Sequence, residues 1–512
     1  MPNIDTRKIA LNTILLYIRM GLVMLIGLYT ARVILQSLGE VDFGLYNSVG
    51  GIVAMFSFAC GTLSAACQRF FMVEMGKGDD MQLRRVFSLC LMIFVLLVLG
   101  IVLVTEPLGL WFMEHKMQLA GRTSAARWVF HCSILSFAAI GISLPFQGLV
   151  IAREKMNAFA YISVFEALGA LAIALLIRHS SSDRLILYAL LMLLKQIIVS
   201  SLYIFYCLRH FAESRYVRAW DKGRFKEIFA YTGWNLIGTS AGIFKVYGVD
   251  LLLNMFYGPA VNAARGLAFK VYGMVSQLRE NFMTASKPQI IKSYSGGEYE
   301  GMKKLVFQTA KFSNYLMLLI AIPLMLEMSF LLGIWLEDVP QYTGLFAILM
   351  LVNALLEGAD YPIMLAIQAN GNIRNYQIVV GCVQLLLLPV CYLLLKFGTF
   401  PPQIVFYVAI AISICAFFAR MYYARKLVGI TLPELGAKAL LPMFLVALVP
   451  LCAAWAVRSR MPEGWVRLIC VTLTSVVTQA GAIWFLGLTA SEKDTILREA
   501  RKKLRLPHPK KD

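Results

Sequence analysis

Residues 12–78 read NTILLYIRMGLVMLIGLYTARVILQSLGEVDFGLYNSVGGIVAMFSFACGTLSAACQRFFMVEMGKG. Two long apolar segments, roughly residues 10 to 38 and 43 to 72, are joined here by the turn Gly39-Glu40-Val41-Asp42. Each exceeds the ~20 residues that a helix rising 1.5 Å per residue needs to cross about 30 Å of hydrocarbon. The stretch is therefore expected to form a membrane-spanning helical hairpin. Yet Arg19, Arg32 and Arg69 lie inside it. A centrally placed arginine costs about 2.5 to 3.5 kcal/mol on insertion scales, a cost that a water-filled cavity or an anionic ligand would offset.

The hairpin returns in the middle of the chain. A shift of about 219 residues sets Gly39 on Gly258, Gly78 on Gly297 and Arg85 on Lys304, with Asn12 near Asn235 after a small gap. Repeated halves of this kind are how many transporters build a site at the repeat interface.

Composition extends the reading to the whole chain. With 512 residues, 59% hydrophobic and only 15% charged, and a mean hydropathy of +0.70, the sequence is far too apolar for a soluble protein of this length. It is expected to be an all-α polytopic membrane protein with about fourteen transmembrane helices. The first apolar run is too long for a signal-peptide core and lacks an early small-residue cleavage pattern, so it reads as a retained span. The ten cysteines fall inside apolar segments without a C-x-x-C pair or nearby histidine, and imply no disulfide, metal or redox site.

The formal charge of +19 is largely a matter of topology. One set of alternate loops carries Arg84, Arg85, Arg153, Lys155, the run from Arg209 to Lys226, Lys303, Lys304, Arg425 and the basic tail; the other holds only about eight cations. Both termini are therefore expected in the cytoplasm. The organisation expected is a six-helix bundle over residues 1–208, a cytoplasmic linker at 209–225, and a second six-helix bundle over 226–428. Two additional helices follow at 429–490, then a basic tail at 491–512. Six spans per repeat is an even number, so the pseudo-symmetric bundles enter the membrane in the same direction. The longest outer loop is expected between about Pro107 and Arg122.

Removing loops, tail and span edges leaves Arg19, Arg32, Arg69, Lys195, Lys245, Arg265, Lys270 and Arg279. All but Lys195 lie on the two copies of the hairpin, and this clustering is the main functional signal. Asn235, Gly238, Gly242 and Lys245 recur at helical spacing, as do Gly50, Ala54, Ser57, Gly61, Ser64 and Gln68 in the second span. Arg19 and Arg32, by contrast, point about 140° apart on a straight helix. The plainer readings are that Arg32, Arg69 and Arg265 snorkel to the headgroups, that Lys245 pairs with Asp250, that Lys195 pairs with Glu166, and that the small-residue stripes are packing surfaces. Taken jointly the residues favour a basic cavity, and arginine suits phosphate because its planar fork donates two bonds at once. Asp250, Glu327, Glu357 and Asp360 are candidates for a coupling proton or sodium ion. No metal site is expected.

The segment LGEVDFGLYNSVGG, Leu38 to Gly51, with the polar-rich second span ending in Arg69 and the basic loop after it, resembles the polysaccharide transport proteins, or O-antigen flippases, of the multidrug/oligosaccharidyl-lipid/polysaccharide flippase superfamily. The resemblance implies two six-helix bundles around a central cationic cavity that opens alternately to either side. It also implies a substrate of undecaprenyl-diphosphate-linked oligosaccharide (an O-antigen, capsule or exopolysaccharide repeat unit). The location implied is the bacterial inner membrane, among membrane lipids and beside polysaccharide polymerase machinery.

Two further classes compete. A cation-driven multidrug exporter of the same superfamily would favour acids in its cavity, whereas a peptidoglycan lipid-precursor flippase would share the diphosphate. An enzyme acting on lipid-linked sugars could use Glu40 and Asp42 as an acidic pair, but would need a sizeable outer domain that the sequence lacks. No P-loop, nucleotide fingerprint or H-E-x-x-H occurs, so any energy input is expected from ion or substrate gradients, and no enzyme, cofactor or nucleic-acid partner is expected.

Overall fold

The computed structural model describes residues 6–503 apart from 78, 154, 218–220 and 372. The side chains of 6–18, 57–59, 65, 69, 73, 76–77, 224, 227–241, 243, 281, 284–285, 288, 495–496 and 499–503 also lie outside the description, and with them the candidates Arg69, Ser57, Asn235 and Gly238. Among the described residues the chain is helical, with no strand. The elements are α1 (Thr6–Lys77), α2 (Asp80–Lys116), α3 (Thr123–Ala152), α4 (Met156–Arg178), α5 (Arg184–His210) and α6 (Lys222–Tyr257). Next come α7 (Pro259–Ser295), α8 (Tyr299–Leu326), α9 (Met328–Leu336), α10 (Thr343–Asn370), α11 (Arg374–Leu385) and α12 (Leu387–Phe397). The chain finishes with α13 (Ile404–Val428), α14 (Leu432–Leu435), α15 (Leu441–Arg458), α16 (Trp465–Ala482) and α17 (Ala490–Lys503).

Eleven of these stretches are long and apolar enough to cross a membrane, against the fourteen expected. Three places account for the difference. α1 runs through the first hairpin and is broken only at Gly39, whose φ of 77° lies in the left-handed region that glycine enters without a Cβ clash. α7, at 37 residues, has the length to span but carries Arg265, Lys270 and Arg279 in place of a continuous apolar run, and much of α6 lies outside the described residues. The expected four-residue turn at 39–42 is in fact this single-residue break. The expected outer loop from Pro107 is also shorter, because α2 continues through that proline to Lys116; a proline removes one hydrogen bond, which a membrane helix tolerates.

The chain's contacts divide into two compact units. The first takes in the chain up to Lys270 with Asp338–Thr343 and Gln384–Val405. In it α3 packs between α1 and α5, and α2 closes against α1 and α3. Lipid is as apolar as leucine, so apolar contact by itself does not drive these helices together; close fit does. Phe87 stacks between Phe71 and Phe146 at centroid distances of 5.8 and 5.1 Å. A Cβ on Gly109 would lie 2.5 Å from the Phe130 ring, so the glycine is what lets α2 approach α3.

The second unit takes in Val271–Glu337, Gly344–Val383 and the chain from Phe406. Here α8 packs on α15 and α16. Gln479 Nε2 donates to the Tyr315 carbonyl at 2.7 Å and Tyr315 Oη to the Gly487 carbonyl at 3.2 Å, cross-links that supply what apolar packing cannot.

Candidate functional site

The two hairpins of the repeat meet inside the first unit. Gly258, with φ of 83°, breaks α6 from α7 as Gly39 breaks α1, so the aligned glycines do the same work in both copies. Just beyond the breaks the backbones come close: a Cβ on Gly44 would collide with the Pro259 carbonyl, and one on Gly266 would sit 3.0 Å from Asn47 Nδ2. Asn254 Nδ2 donates to Ser48 Oγ at 3.3 Å, Asn262 also donates to Ser48 Oγ, and the backbone N–H of Gln118 donates to Asn254 Oδ1 at 3.0 Å. Ser48, Asn254 and Asn262 are wholly buried, so these bonds replace water that cannot enter.

The charged residues separate into two kinds. Arg265 is buried, pairs with Asp250, and donates from Nη2 to the Val246 carbonyl at 2.6 Å. Asp250 is thus a partner of Arg265. Lys270, five residues further along α7, is exposed and makes no hydrogen bond or ion pair with another described residue. Arg19 lies against α4, its Nη1 donating to Ser163 Oγ at 3.3 Å and its Cζ 4.9 Å from the centre of the Phe159 ring, with its Nε buried and unbonded. Arg32 and Lys245 are half-buried. Lys195 pairs with Glu166 at 3.5 Å, as its depth on the neighbouring span suggests.

In the second unit Arg279 is buried, donating to Glu280 Oε1 at 3.1 Å and to the Ala354 carbonyl at 3.4 Å, with Nε unbonded. Of the carboxylates offered for ion coupling, Glu327 is paired with Arg467 at 2.8 Å and Asp360 with Arg420. Glu357 accepts from Asn353 Nδ2 at 3.0 Å and from Ser413 Oγ at 3.3 Å. Near it Asn353 Oδ1 and Asp360 Oδ1 are buried acceptors with no partner, so oxygen atoms suited to a hard cation or a proton gather on one stretch of α10. Among the described residues no group of three His, Cys, Asp or Glu is placed to hold a metal ion.

Asp42, one of the two acids considered for catalysis, is held in an ion pair. Arg122 donates to Asp42 at 2.9 Å and to Asp183 at 2.8 Å, tying the first hairpin to the start of α5. Burial pushes the Asp183 carboxyl up, but the Arg122 hydrogen bond and the backbone N–H groups of Ile186 and Leu185 outweigh it and hold it below the usual carboxylate range.

The family model described as polysaccharide biosynthesis protein matches residues 6–329, more than half of the chain and all of both hairpins. The chain belongs to this family. Among solved structures, it resembles one titled lipid II flippase MurJ, inward closed conformation, with a TM-score of 0.65 at 15% identity, covering 92% of this chain and 98% of that one. An inward-facing multidrug resistance MATE family transporter of the MOP superfamily gives a TM-score of 0.61 at 13% identity, covering 80% and 98%. The MATE multidrug transporter DinF-BH gives 0.61 at 15% identity, covering 84% and 97%. At these identities the likeness establishes a shared all-helical transporter fold. No curated protein matches by sequence.

For this family member, sequence reasoning misses three buried ion pairs because it assigns their cations by position. Arg420 and Arg467 sit near span ends and count with the loops, yet Arg420 also donates from Nε to Tyr376 Oη at 2.9 Å deep in α13. Lys311 stands near the start of a span, and it is 2% exposed, bonded at 2.8 Å to Glu492 from the tail. The signal available is the carboxylates themselves: an unmatched Glu327 or Asp360 in a span calls for a cation at equal depth.

Proposed function

We propose that the chain is a flippase that carries undecaprenyl-diphosphate-linked oligosaccharide across the bacterial inner membrane by alternating access, moving its cargo without breaking a bond. The observation that carries this reading is Lys270, a lysine exposed partway along a membrane-length helix of the repeated hairpin and without an ion pair among the described residues. A cation kept unpaired in such a place costs several kcal/mol unless water and an anion meet it. In this reading Lys270, Arg19 and Arg279 take the diphosphate, replacing its hydration with charge-assisted hydrogen bonds, and Arg32, Lys245 and Arg265 serve the exit side. Arg265 contributes less, because Asp250 already neutralises it. The sugar occupies the wet cavity, the prenyl tail stays in lipid, and one bundle rocks against the other. Asp250, Glu327, Glu357 and Asp360 are the carboxylates offered for a coupling proton or sodium ion, and Glu357 stands with the buried Asn353 and Asp360 oxygens on one stretch of α10. Both termini lie in the cytoplasm, as the distribution of basic loops requires.

Substituting Arg19, Lys270 and Arg279 singly by alanine, with protein level checked, should let lipid-linked oligosaccharide accumulate and deplete surface polysaccharide. Normal surface polysaccharide in all three would remove the proposal. A second reading has an observation of its own, since a lipid II flippase matches 92% of the chain. Growth of cells depleted of their peptidoglycan flippase, restored by this protein, would favour that substrate. A cationic-drug exporter fits poorly with Lys270 exposed and without an ion pair among the described residues.

A further inference from the structure

α8 begins with a face that carries Lys304, Gln308 and Lys311 at helical spacing, with Lys303 beside them. This face lines a cleft of about 420 Å³ that Lys438 and Glu492 complete from elsewhere in the second unit. Three spans end here: Tyr299–Leu326 and Leu432–Arg458 start beside it, and Trp465–Gly487 finishes beside it. The chain passes at this level from hydrocarbon to water, so the cleft lies at headgroup depth.

Floor and rim use their charges differently. At the floor, Lys311 Nζ donates to Glu492 Oε2 at 2.8 Å and to the Gly487 carbonyl at 3.2 Å, while Gln308 Nε2 donates to Glu492 Oε1 at 3.1 Å. That lysine is satisfied within the fold. At the rim, Lys303 pairs with Glu300 and Lys438 with Glu434, each at 2.8 Å and each within its own helical turn. Pairs of this kind are weak and exchange readily with a stronger anion. Lys304 is exposed and makes no ion pair with another described residue. The lining therefore holds four lysines against Glu300, Glu434 and Glu492, a surplus of one positive charge.

We propose that this cleft binds the phosphodiester of an anionic phospholipid, held by Lys303, Lys304 and Lys438, with the acyl chains running along Leu441 and Phe444. A phosphodiester carries the single negative charge that the surplus matches, and basic clefts between spans on the basic side of a membrane protein are where anionic headgroups lodge. Leu441 and Phe444 lie within two turns of Lys438 and are exposed, which supplies the apolar track that a free anion would not use. This site is separate from the hairpin residues that would carry the cargo.

The test uses the purified full chain in nanodiscs. Native mass spectrometry on a mixture of phosphatidylglycerol and phosphatidylcholine should show phosphatidylglycerol retained at least five-fold over its share of the mixture. The double variant Lys304→Gln/Lys438→Gln should lose that preference while its Tm in pure phosphatidylcholine stays that of the wild type, since both side chains are exposed. Equal retention of the two lipids by the wild type, or an undiminished preference in the double variant, would overturn the assignment. So would a Tm raised by millimolar inorganic phosphate without any phosphatidylglycerol preference, which would make the cleft a free-anion site.

Discussion

Arg265 and Lys270 stand five residues apart on α7, and the fold treats them oppositely. The Arg265 stretch is buried: the guanidinium meets Asp250 and a backbone carbonyl, among the asparagines and serine that join the two hairpins. Lys270 itself is exposed, and its ammonium has no carboxylate among the described residues. An intramembrane cation is therefore not one signal but two. Arg265, which closes a helix contact, is neutralised in place, while Lys270 stands exposed without an ion pair among the described residues, as the proposed diphosphate site needs. Charge and spacing look alike in the sequence, while burial and partner tell them apart.

The largest effect should come from breaking the closed member. Arg265→Ala would leave Asp250 half-encased without its cation, at a cost of about 3 to 5 kcal/mol, and should lower Tm in detergent sharply. Replacing the pair by apolar residues, Asp250→Leu with Arg265→Met, should recover most of the loss, because a well-packed apolar pair can stand in for a buried ion pair. A single variant as stable as the wild type would show that Asp250 and Arg265 are not a structural pair and erase the contrast with Lys270.

Removing the open member should do the reverse. Lys270→Ala should leave Tm unchanged and reduce translocation of lipid-linked oligosaccharide at least ten-fold, which corresponds to about 1.4 kcal/mol of lost interaction. Lys270→Arg should keep most of the activity, since the charge is retained. A fall in Tm with activity preserved would place Lys270 with Arg265 after all.

A smaller effect separates two faces of the second half of α1. Gly44→Ala drives a methyl into the Pro259 carbonyl and should cost about 1 to 3 kcal/mol, read as Tm. Gly61 faces a cavity of about 380 Å³ with no atom within 4 Å of an added Cβ, so Gly61→Ala should be neutral or slightly stabilising. Equal losses at both positions would mean that Gly61, like Gly44, sits on a packing surface.

How much of this is written in the chain follows from the range over which each force acts. Helix, span and repeat are local or periodic, so the hairpin and its second copy are legible, down to the glycines whose shared role needs only the absence of a Cβ. Charge within α7 breaks the apolar run by which a span is recognised, so a span of this kind is legible from its length and its place in the repeat. Pairing is a matter of depth and azimuth between helices far apart in sequence: nothing near Arg420 names Asp360, and nothing near Lys311 names Glu492. Arg32 and Lys245 can be found, but whether each faces water or a neighbour depends on packing that no spacing rule reaches.

The mildest test concerns the pair that anchors the tail. Burial pushes the Glu492 carboxyl up, but the Lys311 ammonium, the Thr489 N–H and the Gln308 amide outweigh it and hold the group below the usual carboxylate range. Its ordinary value is about 4.3, and the folded value is lower, so the anchoring is fully present above that pH and is lost as the pH falls through the folded value. Hydrogen exchange of the first turn of α17 should therefore be flat from pH 7 to about 5, after correction for intrinsic rates, and should accelerate only below about 4. Glu492→Gln should abolish that acid-side step, because an amide does not titrate. Glu434→Gln, which touches only an exposed pair, should leave it in place. An acid step that survives Glu492→Gln would assign the anchoring to another carboxylate. Lys311 would then belong with Lys270, as a cation held for something other than the fold.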